Sequence, residues 1–505
     1  MAQSYDVIII GAGIVGSMVA RFLSKYQLDI LLIEKESDIG MGTSSANSAA
    51  VHAGYDALPG SNKAITNMLG VEMWPQLSKE LGIPYERCGD YVVAVTEEDI
   101  AVLEELLERG RKNGVPGMEM ISGEEMRRRE PLIRPDTIGA LWAPTGGISD
   151  PFTATVAAAE NAVMNGVTVM LNTAFEDFLM DGNTITGVRT NQGDFHCRWV
   201  VNAAGLFADE VMHKAGVRPN FEIRPRRGEY LILDKAEFQL SQNTILFPTP
   251  SSKGKGILVA STLHGNVIIG PNANFVTDKT DKDMTREGTE EIWSGGKKLI
   301  PSVNRKHIIA EFAGLRATGN AATPDPEIDY HQDFIIEIPK EVKGLVNLGG
   351  IESPGFTASP AIAVKVIELL KAAGEDLIEK PDWNPIREAP PVFRHMNKQQ
   401  QAELVAKEPA YGRIVCRCET VTEGEILAAI HSPIPATTYD AIKRRTWLGT
   451  GRCQGGFDMP RVVHILSEEL GIPPEEVTKK GDGSPLLYRR TKDVQQDHII
   501  VEDLI

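Results

Sequence analysis

Val7-Ile8-Ile9-Ile10-Gly11-Ala12-Gly13-Ile14-Val15-Gly16 is the stretch that decides the fold. The β-branched run Val7 to Ile10 suits a strand buried on both faces of a parallel sheet. The glycine turn follows without a spacer, and Ser17 to Tyr26 carries apolar residues at helical spacing. A second apolar strand, Ile30 to Ile33, ends in Glu34, 18 residues beyond Gly16. Each part of this strand–turn–helix–strand unit has a physical task. Gly11 permits the tight turn, Gly13 lets a pyrophosphate approach the backbone, and Gly16 lets the helix pack on the strand. The helix N-terminus at Ile14 and Val15 offers amide donors and positive dipole to phosphates. Glu34 can accept hydrogen bonds from an adenosine ribose. The unit reads as a dinucleotide site.

Downstream, Gly42-Thr43-Ser44-Ser45-Ala46-Asn47-Ser48 is a loop of small polar residues leading to Ala49-Ala50-Val51-His52-Ala53-Gly54. Later come Val200-Val201-Asn202-Ala203-Ala204-Gly205, then Gly314-Leu315-Arg316, then Gly349-Gly350-Ile351-Glu352-Ser353-Pro354-Gly355-Phe356-Thr357. In this order the segments resemble the D-amino-acid-oxidase-like superfamily of FAD enzymes. The resemblance implies FAD as cofactor, with Thr43, Ser44 and Ser48 on a loop running along the pyrophosphate toward the flavin. It further implies that Ala203 and Gly205 mark a strand end near FAD and that the backbone at Phe175 lies near the adenine. Gly350, Gly355, Phe356 and Thr357 would form the loop and helix start at the flavin ring.

The expected architecture is α/β: a Rossmann-like FAD-binding domain with an inserted α+β substrate domain and a small, mainly helical C-terminal cysteine module. The FAD domain is expected to be discontinuous, from residues 1–85, 146–224 and 321–375. Asp150-Pro151 has the form of a helix start, and the strand Val167 to Leu171 then returns to that domain. Residues 86–145 and 225–320 form the substrate domain, where Glu229 to Leu233 and Asn266 to Gly270 read as strands. Prolines 381, 385, 390, 391 and 409 punctuate residues 376–411, read as a linker. A compact module follows at 412–480, then a polar tail at 481–505.

Flavin oxidation of an alcohol or amine needs the substrate C–H aimed at the ring and often a base for the O–H or N–H proton. His52 is the candidate base, because its loop follows the pyrophosphate segment; the alternative is a histidine bonded only to flavin or backbone. Anionic substrates want a guanidinium. Arg316 matches the family's substrate arginine. Of Arg224, Arg226 and Arg227, which surround Pro225, Arg227 is chosen for the pocket, with a surface ion pair as the alternative. Thr262 and His264 are further candidates, His264 also reading as a turn-stabilising residue. The turn Gly270-Pro271-Asn272-Ala273 resembles one close to the flavin in 2-hydroxyglutarate-oxidising relatives.

Cys416-Arg417-Cys418, and then Cys453-Gln454-Gly455-Gly456-Phe457-Asp458, resembles the bacterioferritin-associated-ferredoxin-like [2Fe-2S] domain. That family presents C-x-C and a later C-x4-C, so Asp458 stands where the fourth thiolate belongs. A [2Fe-2S] cluster normally takes four thiolates. Two readings stand open: Asp458 completes the set as a harder ligand, or it is the N-cap of the helix ahead of Val462 to Leu470. The cysteines could also hold another metal, or none. Thr422-Glu423-Gly424-Glu425 is a capping box opening a helix to Ile430. Cys88 and Cys197 are isolated and read as inert packing residues. The pairing of the two modules resembles the anaerobic glycerol-3-phosphate dehydrogenase catalytic-subunit family. It implies a small anionic hydroxy substrate, glycerol 3-phosphate first, and electron transfer to a second flavoprotein, another acceptor subunit or oxygen. A 2-hydroxy-acid or amine oxidase is the competing enzyme, and a non-catalytic electron-transfer or scaffold subunit is the competing class.

The composition sets the outer bounds. Apolar residues make up 42% and charged residues 24% of 505, as in soluble globular chains. With 52 basic against 69 acidic side chains the net charge is −17, which repels nucleic-acid backbones. No apolar run reaches the length of a membrane span. No cationic segment precedes an apolar one at the start, and five cysteines are too few for a secreted scaffold of this size, so a cytoplasmic protein is expected.

Overall fold

The computed structural model describes residues 3–219, 221–250, 256–321 and 333–489. It divides into two compact units: Met1–Lys35 with Ile39–Ala389, and Glu36–Asp38 with Pro390–Ile505. From residue 490 on, the expected tail lies outside the described residues. None of the described helices is long and apolar enough to cross a membrane.

The first unit is built on two sheets. In one, the strand Gln3–Ile10 runs parallel to Ile30–Ile33 on one side and to Gly193–Asn202 on the other. Thr168–Met170 extends it beyond Ile30–Ile33, and Leu345–Gly349 pairs in parallel with Gly193–Asn202. Ile8, Ile9, Leu31 and Leu32 are fully buried, as a strand covered on both faces requires. Each such side chain contributes about 1.5–3 kcal/mol by leaving water. The helix Pro151–Met164 begins where the sequence places it: Asp150 Oδ1 accepts from the amides of Phe152 (2.9 Å) and Thr153 (3.1 Å). Helix Gly355–Ala372 packs against Ile14–Leu23 and against Asn62–Leu81. The last approach is so close that a Cβ on Gly70 would strike the Thr357 carbonyl, which seats the start of Gly355–Ala372 firmly.

The second sheet takes its strands from Asp90–Ala94, Glu119–Ser122, Gly139–Ala143 and the stretch from Phe221 to Ala321. It is antiparallel except where Ile245–Pro248 runs alongside Asp90–Ala94. The strands expected at Glu229 to Leu233 and Asn266 to Gly270 are present within Phe221–Leu233 and as Val267–Gly270. Helices Glu97–Asn113 and Arg286–Leu299 bury Leu103, Leu106, Ile292 and Trp293 in its two apolar clusters.

In the second unit, the helices Glu423–Ile430, Tyr439–Thr446 and Met459–Leu470 bury Ile426, Ile430, Ile442, Val462 and Leu466 together. The capping box at Thr422 is formed in both directions. Asp38 is buried and accepts from Arg444 (2.6 Å) and Arg445 (2.9 Å). The proline-rich stretch, expected as a linker that wraps the surface or spaces two domains, is divided between the two units. Residues up to 389 belong to the first unit, where Arg387 pairs with Glu160 (2.6 Å) and the Asn384 carbonyl accepts from Asn161 and Asn165. Residues from 390 belong to the second unit and include the helix Lys398–Lys407, capped reciprocally by Asn397 and Gln400. The prolines interrupt helices, but side-chain hydrogen bonds fix the backbone between them.

Candidate functional site

At the end of strand Gln3–Ile10 the chain turns at Gly11, where φ is +97° and a Cβ would lie 2.7 Å from the Ala203 carbonyl. A Cβ on Gly16 would collide with the Gly11 carbonyl, so helix and turn are in direct contact. Gly13 is the N-cap of Ile14–Leu23, and no acidic side chain occupies the first turn. The Ile14 amide donates to Ser44 Oγ at 2.9 Å, which brings the small-residue loop onto the helix N-terminus with Val15 behind it. Glu34 Oε2 accepts from the Ala12 amide at 2.8 Å. The Glu34 carbonyl accepts from Thr173 at 2.8 Å, two residues before Phe175 opens its strand. Ala203 donates its amide to the Ile10 carbonyl, and Gly205 and Gly350 take positive φ of 56° and 64°. Glycines without room for a side chain, an anion-ready helix end and a carboxylate at the strand end fit FAD.

The loop is tied to the second sheet. Thr43 Oγ1 donates to the Leu315 carbonyl (2.7 Å), and Ala46 lies so close to Gly314 that a Cβ there would strike it. Ser48 is half-buried, and Ala49 after it takes φ of 58°. His52 is held from several elements. Its amide donates to Thr357 Oγ1 (2.9 Å), its carbonyl accepts from Asn67 Nδ2 (3.0 Å), and its ring Nε2 shares a hydrogen bond with Ser353 Oγ (3.2 Å). Phe356 packs on Trp74 with ring centroids 4.8 Å apart, beside Gly355.

Arg316 sits in the strand Ile308–Ala321 among Tyr230, Glu352 and Arg226. Glu352 binds Lys63 Nζ (2.8 Å) and the Thr318 hydroxyl (2.9 Å). Burial alone would raise its carboxyl; the charges of Lys63 and Arg316 overcome that and hold it below the ordinary range. Lys63, Thr318, Glu352 and Ser353 were not singled out from the sequence. Lys63 and Glu352 stand almost three hundred residues apart, and nothing local in the chain marks their pairing.

Three expectations for the pocket fare differently. Arg227 makes an ion pair with Asp281 at 2.9 Å, whereas Arg226 is the residue paired in register with Arg316. Neighbours along a strand point to opposite faces, so Arg227 is turned away from the Arg316 side. Thr262 and His264 lie in the turn beyond Ser261, which is fastened by Asn266 Nδ2 to the Leu233 carbonyl (2.9 Å). That is the far end of Phe221–Leu233; at about 3.3 Å per residue it is roughly 20 Å along the strand from Arg226. His264 Nε2 approaches Asp150 Oδ2 at 3.7 Å, and Thr262 Oγ1 accepts from Asn266 within the turn. Thr262 thus fastens the turn, whereas His264 reaches the Asp150 carboxylate at the start of helix Pro151–Met164.

The cysteine module is a separate matter. Asp458 occupies the N-cap position of Met459–Leu470, yet its side chain makes no capping hydrogen bond. Its Oδ1 accepts from the Tyr439 hydroxyl at 2.6 Å, and among the described residues Oδ2 has no hydrogen-bond partner. The N-cap reading of the side chain is thereby corrected. The Cys416 thiol faces this carboxylate and is pushed up to about 11, by burial first and then by Asp458. Cys418 instead faces Cys453; burial, then that neighbour, raises its thiol. Among the described residues no three His, Cys, Asp or Glu side chains converge on a metal position. Three thiols and a carboxylate engaged by tyrosine do not fit the four thiolates of a [2Fe-2S] cluster. Burial pushes both Cys88 and Cys197 up to about 12, as inert packing thiols.

Residues 6–369 match the family described as FAD dependent oxidoreductase (DAO), and residues 414–468 match the BFD-like [2Fe-2S] binding domain. A glycerol 3-phosphate dehydrogenase of Caloramator mitchellensis is 42% identical over 97% of this chain and 99% of its own length. A glycerol 3-phosphate oxidase of Mycoplasma genitalium is 34% identical over 76% of this chain and 98% of its own. Among solved structures, dithionite-reduced L-α-glycerophosphate oxidase from Mycoplasma pneumoniae with FAD bound aligns with a TM-score of 0.71 at 32% identity, covering 77% of this chain and all of that one.

Proposed function

This chain belongs to the DAO family of FAD-dependent oxidoreductases, and from that premise we propose that it oxidises glycerol 3-phosphate to dihydroxyacetone phosphate. The observation that carries the reading is the convergence of His52, Ser353 and Thr357 at the loop and helix start expected at the flavin ring, with Arg316 on the adjoining sheet. When bound, FAD supplies a hydride acceptor for the substrate carbon.

The chain's own residues supply the rest. Arg316 holds the anionic end of the substrate, with Glu352 and Tyr230 fixing the guanidinium. His52 takes the hydroxyl proton on its ring, and Ser353 sets the ring's orientation. Gly11, Gly13, Gly16, Glu34, Thr43, Ser44, Ser48, Phe175, Ala203, Gly205, Gly350, Gly355, Phe356 and Thr357 form the cofactor cradle.

The test is an anaerobic absorbance titration of the FAD-loaded protein with glycerol 3-phosphate, with L-2-hydroxyglutarate, L-lactate and glycine as further arms. Bleaching of the flavin band by glycerol 3-phosphate at micromolar-to-millimolar levels is expected. Bleaching by a hydroxy acid or amino acid alone would move the substrate to that class. A flavin reduced by dithionite and by none of the four would favour the non-catalytic reading.

A further inference from the structure

Glu352 stands where a helix and a strand meet. Its Oε1 accepts from Lys63 Nζ at 2.8 Å and its Oε2 from the Thr318 hydroxyl at 2.9 Å, so both oxygens are engaged. Thr318 is two residues from Arg316 on the strand Ile308–Ala321, and alternate residues of a strand share a face. The carboxylate therefore lies on the Arg316 side of the sheet, and its charge acts on both Arg316 and Arg226. Its ion pair is made with Lys63, while the Arg316 guanidinium hydrogen-bonds Tyr230.

Lys63 is itself anchored at the start of helix Asn62–Leu81. The amides of Asn62 (2.6 Å) and Lys63 (2.8 Å) donate to the Asp333 carboxylate, and Asn62 Nδ2 donates to the Phe334 carbonyl (2.8 Å). The Lys63 ammonium lies 5.4 Å from the Phe334 ring centre. Its side chain is 14% exposed and that of Glu352 8%. A carboxylate so deeply placed needs a cation in contact, because removing one partner of a buried pair leaves an uncompensated charge. Without the ammonium, the Glu352 charge would be drawn to a guanidinium along its own face, Arg316. At a distance that charge steadies the guanidinium. In contact it would occupy the fork of donors that a substrate anion needs.

We propose that Lys63 is a positioning residue of the anion site: by holding the Glu352 carboxylate, it keeps Arg316 from closing on an internal anion in place of the substrate's. The inference rests on the reading of Arg316 as the residue that holds the substrate anion. It is the same for a phosphate and for a carboxylate substrate.

A double-mutant cycle on the FAD-loaded protein tests it, read by calorimetric titration with inorganic phosphate and with acetate and by stopped-flow flavin reduction with glycerol 3-phosphate. Lys63→Met is expected to weaken the better-bound of the two anions about tenfold, the worth of a charge-assisted hydrogen bond. The glycerol 3-phosphate concentration for half-maximal reduction rises by the same factor, while the limiting rate stays within about threefold. Lys63→Gln, which keeps a donor toward Glu352 without the charge, behaves as Lys63→Met, and Lys63→Arg, which keeps the charge, recovers most of the loss. In a Glu352→Gln background, where no carboxylate is left to compete, Lys63→Met changes anion binding by less than about threefold. A lysine that only supports the fold would cost the same in both backgrounds, so equal losses overturn the proposal. Anion binding unchanged by both neutral substitutions of Lys63 overturns it too, as does an unaltered protein that binds neither phosphate nor acetate. If the cycle shows the expected coupling while glycerol 3-phosphate fails to bleach the flavin, the substrate reading fails and the role of Lys63 stands.

Discussion

His52 owes its place to hydrogen bonds at its amide, carbonyl and ring, made to Thr357, Asn67 and Ser353. A residue fixed at so many points moves little between variants, so its substitution reads out chemistry rather than rearrangement. His52→Ala is expected to slow anaerobic flavin bleaching by glycerol 3-phosphate by about 10²–10⁴-fold, the range for a lost general base, with FAD still bound. A loss below about tenfold in stopped-flow measurements would reduce His52 to a positioning residue. At this scale the sequence brings forward the residues that a motif carries, His52 and Arg316. It carries no signal for which of Arg226 and Arg227 shares a strand face with Arg316. Which of two adjacent arginines faces a site depends on strand register, and a shift of one residue exchanges the faces.

At the scale of elements, the glycine turn and its helix form a single contact surface. Gly16→Ala places a methyl against the Gly11 carbonyl, and the helix can yield only by leaving the strand. Expected consequences are loss of most bound FAD and a melting temperature lowered by several degrees, measured by flavin fluorescence and thermal scanning. A variant that keeps full FAD content would mean the helix end tolerates displacement. In the cysteine module the loop before Met459–Leu470 carries a carboxylate, Asp458, five residues after Cys453. Asp458→Cys supplies the fourth thiolate, and after anaerobic reconstitution it is expected to hold about two irons per chain, with the unaltered chain holding far less. Equal iron and sulfide in both chains would return Asp458 to the ligand set. Here the sequence marked the departure, while the Tyr439 hydrogen bond that engages the carboxylate came only from the packing of two helices.

Across the whole molecule, buried ion pairs weigh more than the many surface ones. Asp38 is held below the ordinary carboxyl range: burial would raise it, and Arg445 and Arg444 prevail. A depressed native value means its contribution is complete above the unfolded carboxyl range, near 4, and is lost as pH falls through the native value. Asp38→Asn, which leaves two buried arginines without their partner charge, is expected to cost about 3–5 kcal/mol at pH 7. The difference from the unaltered chain narrows below about pH 4 as the native carboxyl is protonated. Denaturant melts at both pH values check this, and a gap that stays constant with pH would detach the pair from the ionised state.

The sequence by itself determined the strand–glycine–helix unit, the cofactor class, the Asp150 and Thr422 helix starts and the aspartate at 458 in the fourth thiolate's place. These are local: a turn that only glycine allows, a periodicity of burial, a cap within three residues of its amide. Tertiary structure alone decided which side chains meet. It put Lys63 on Glu352, turned Arg227 to Asp281 and Arg226 toward Arg316, and carried Thr262 and His264 to the far end of their sheet. Such meetings are set by register and by packing between segments hundreds of residues apart, and no local pattern in the chain encodes them.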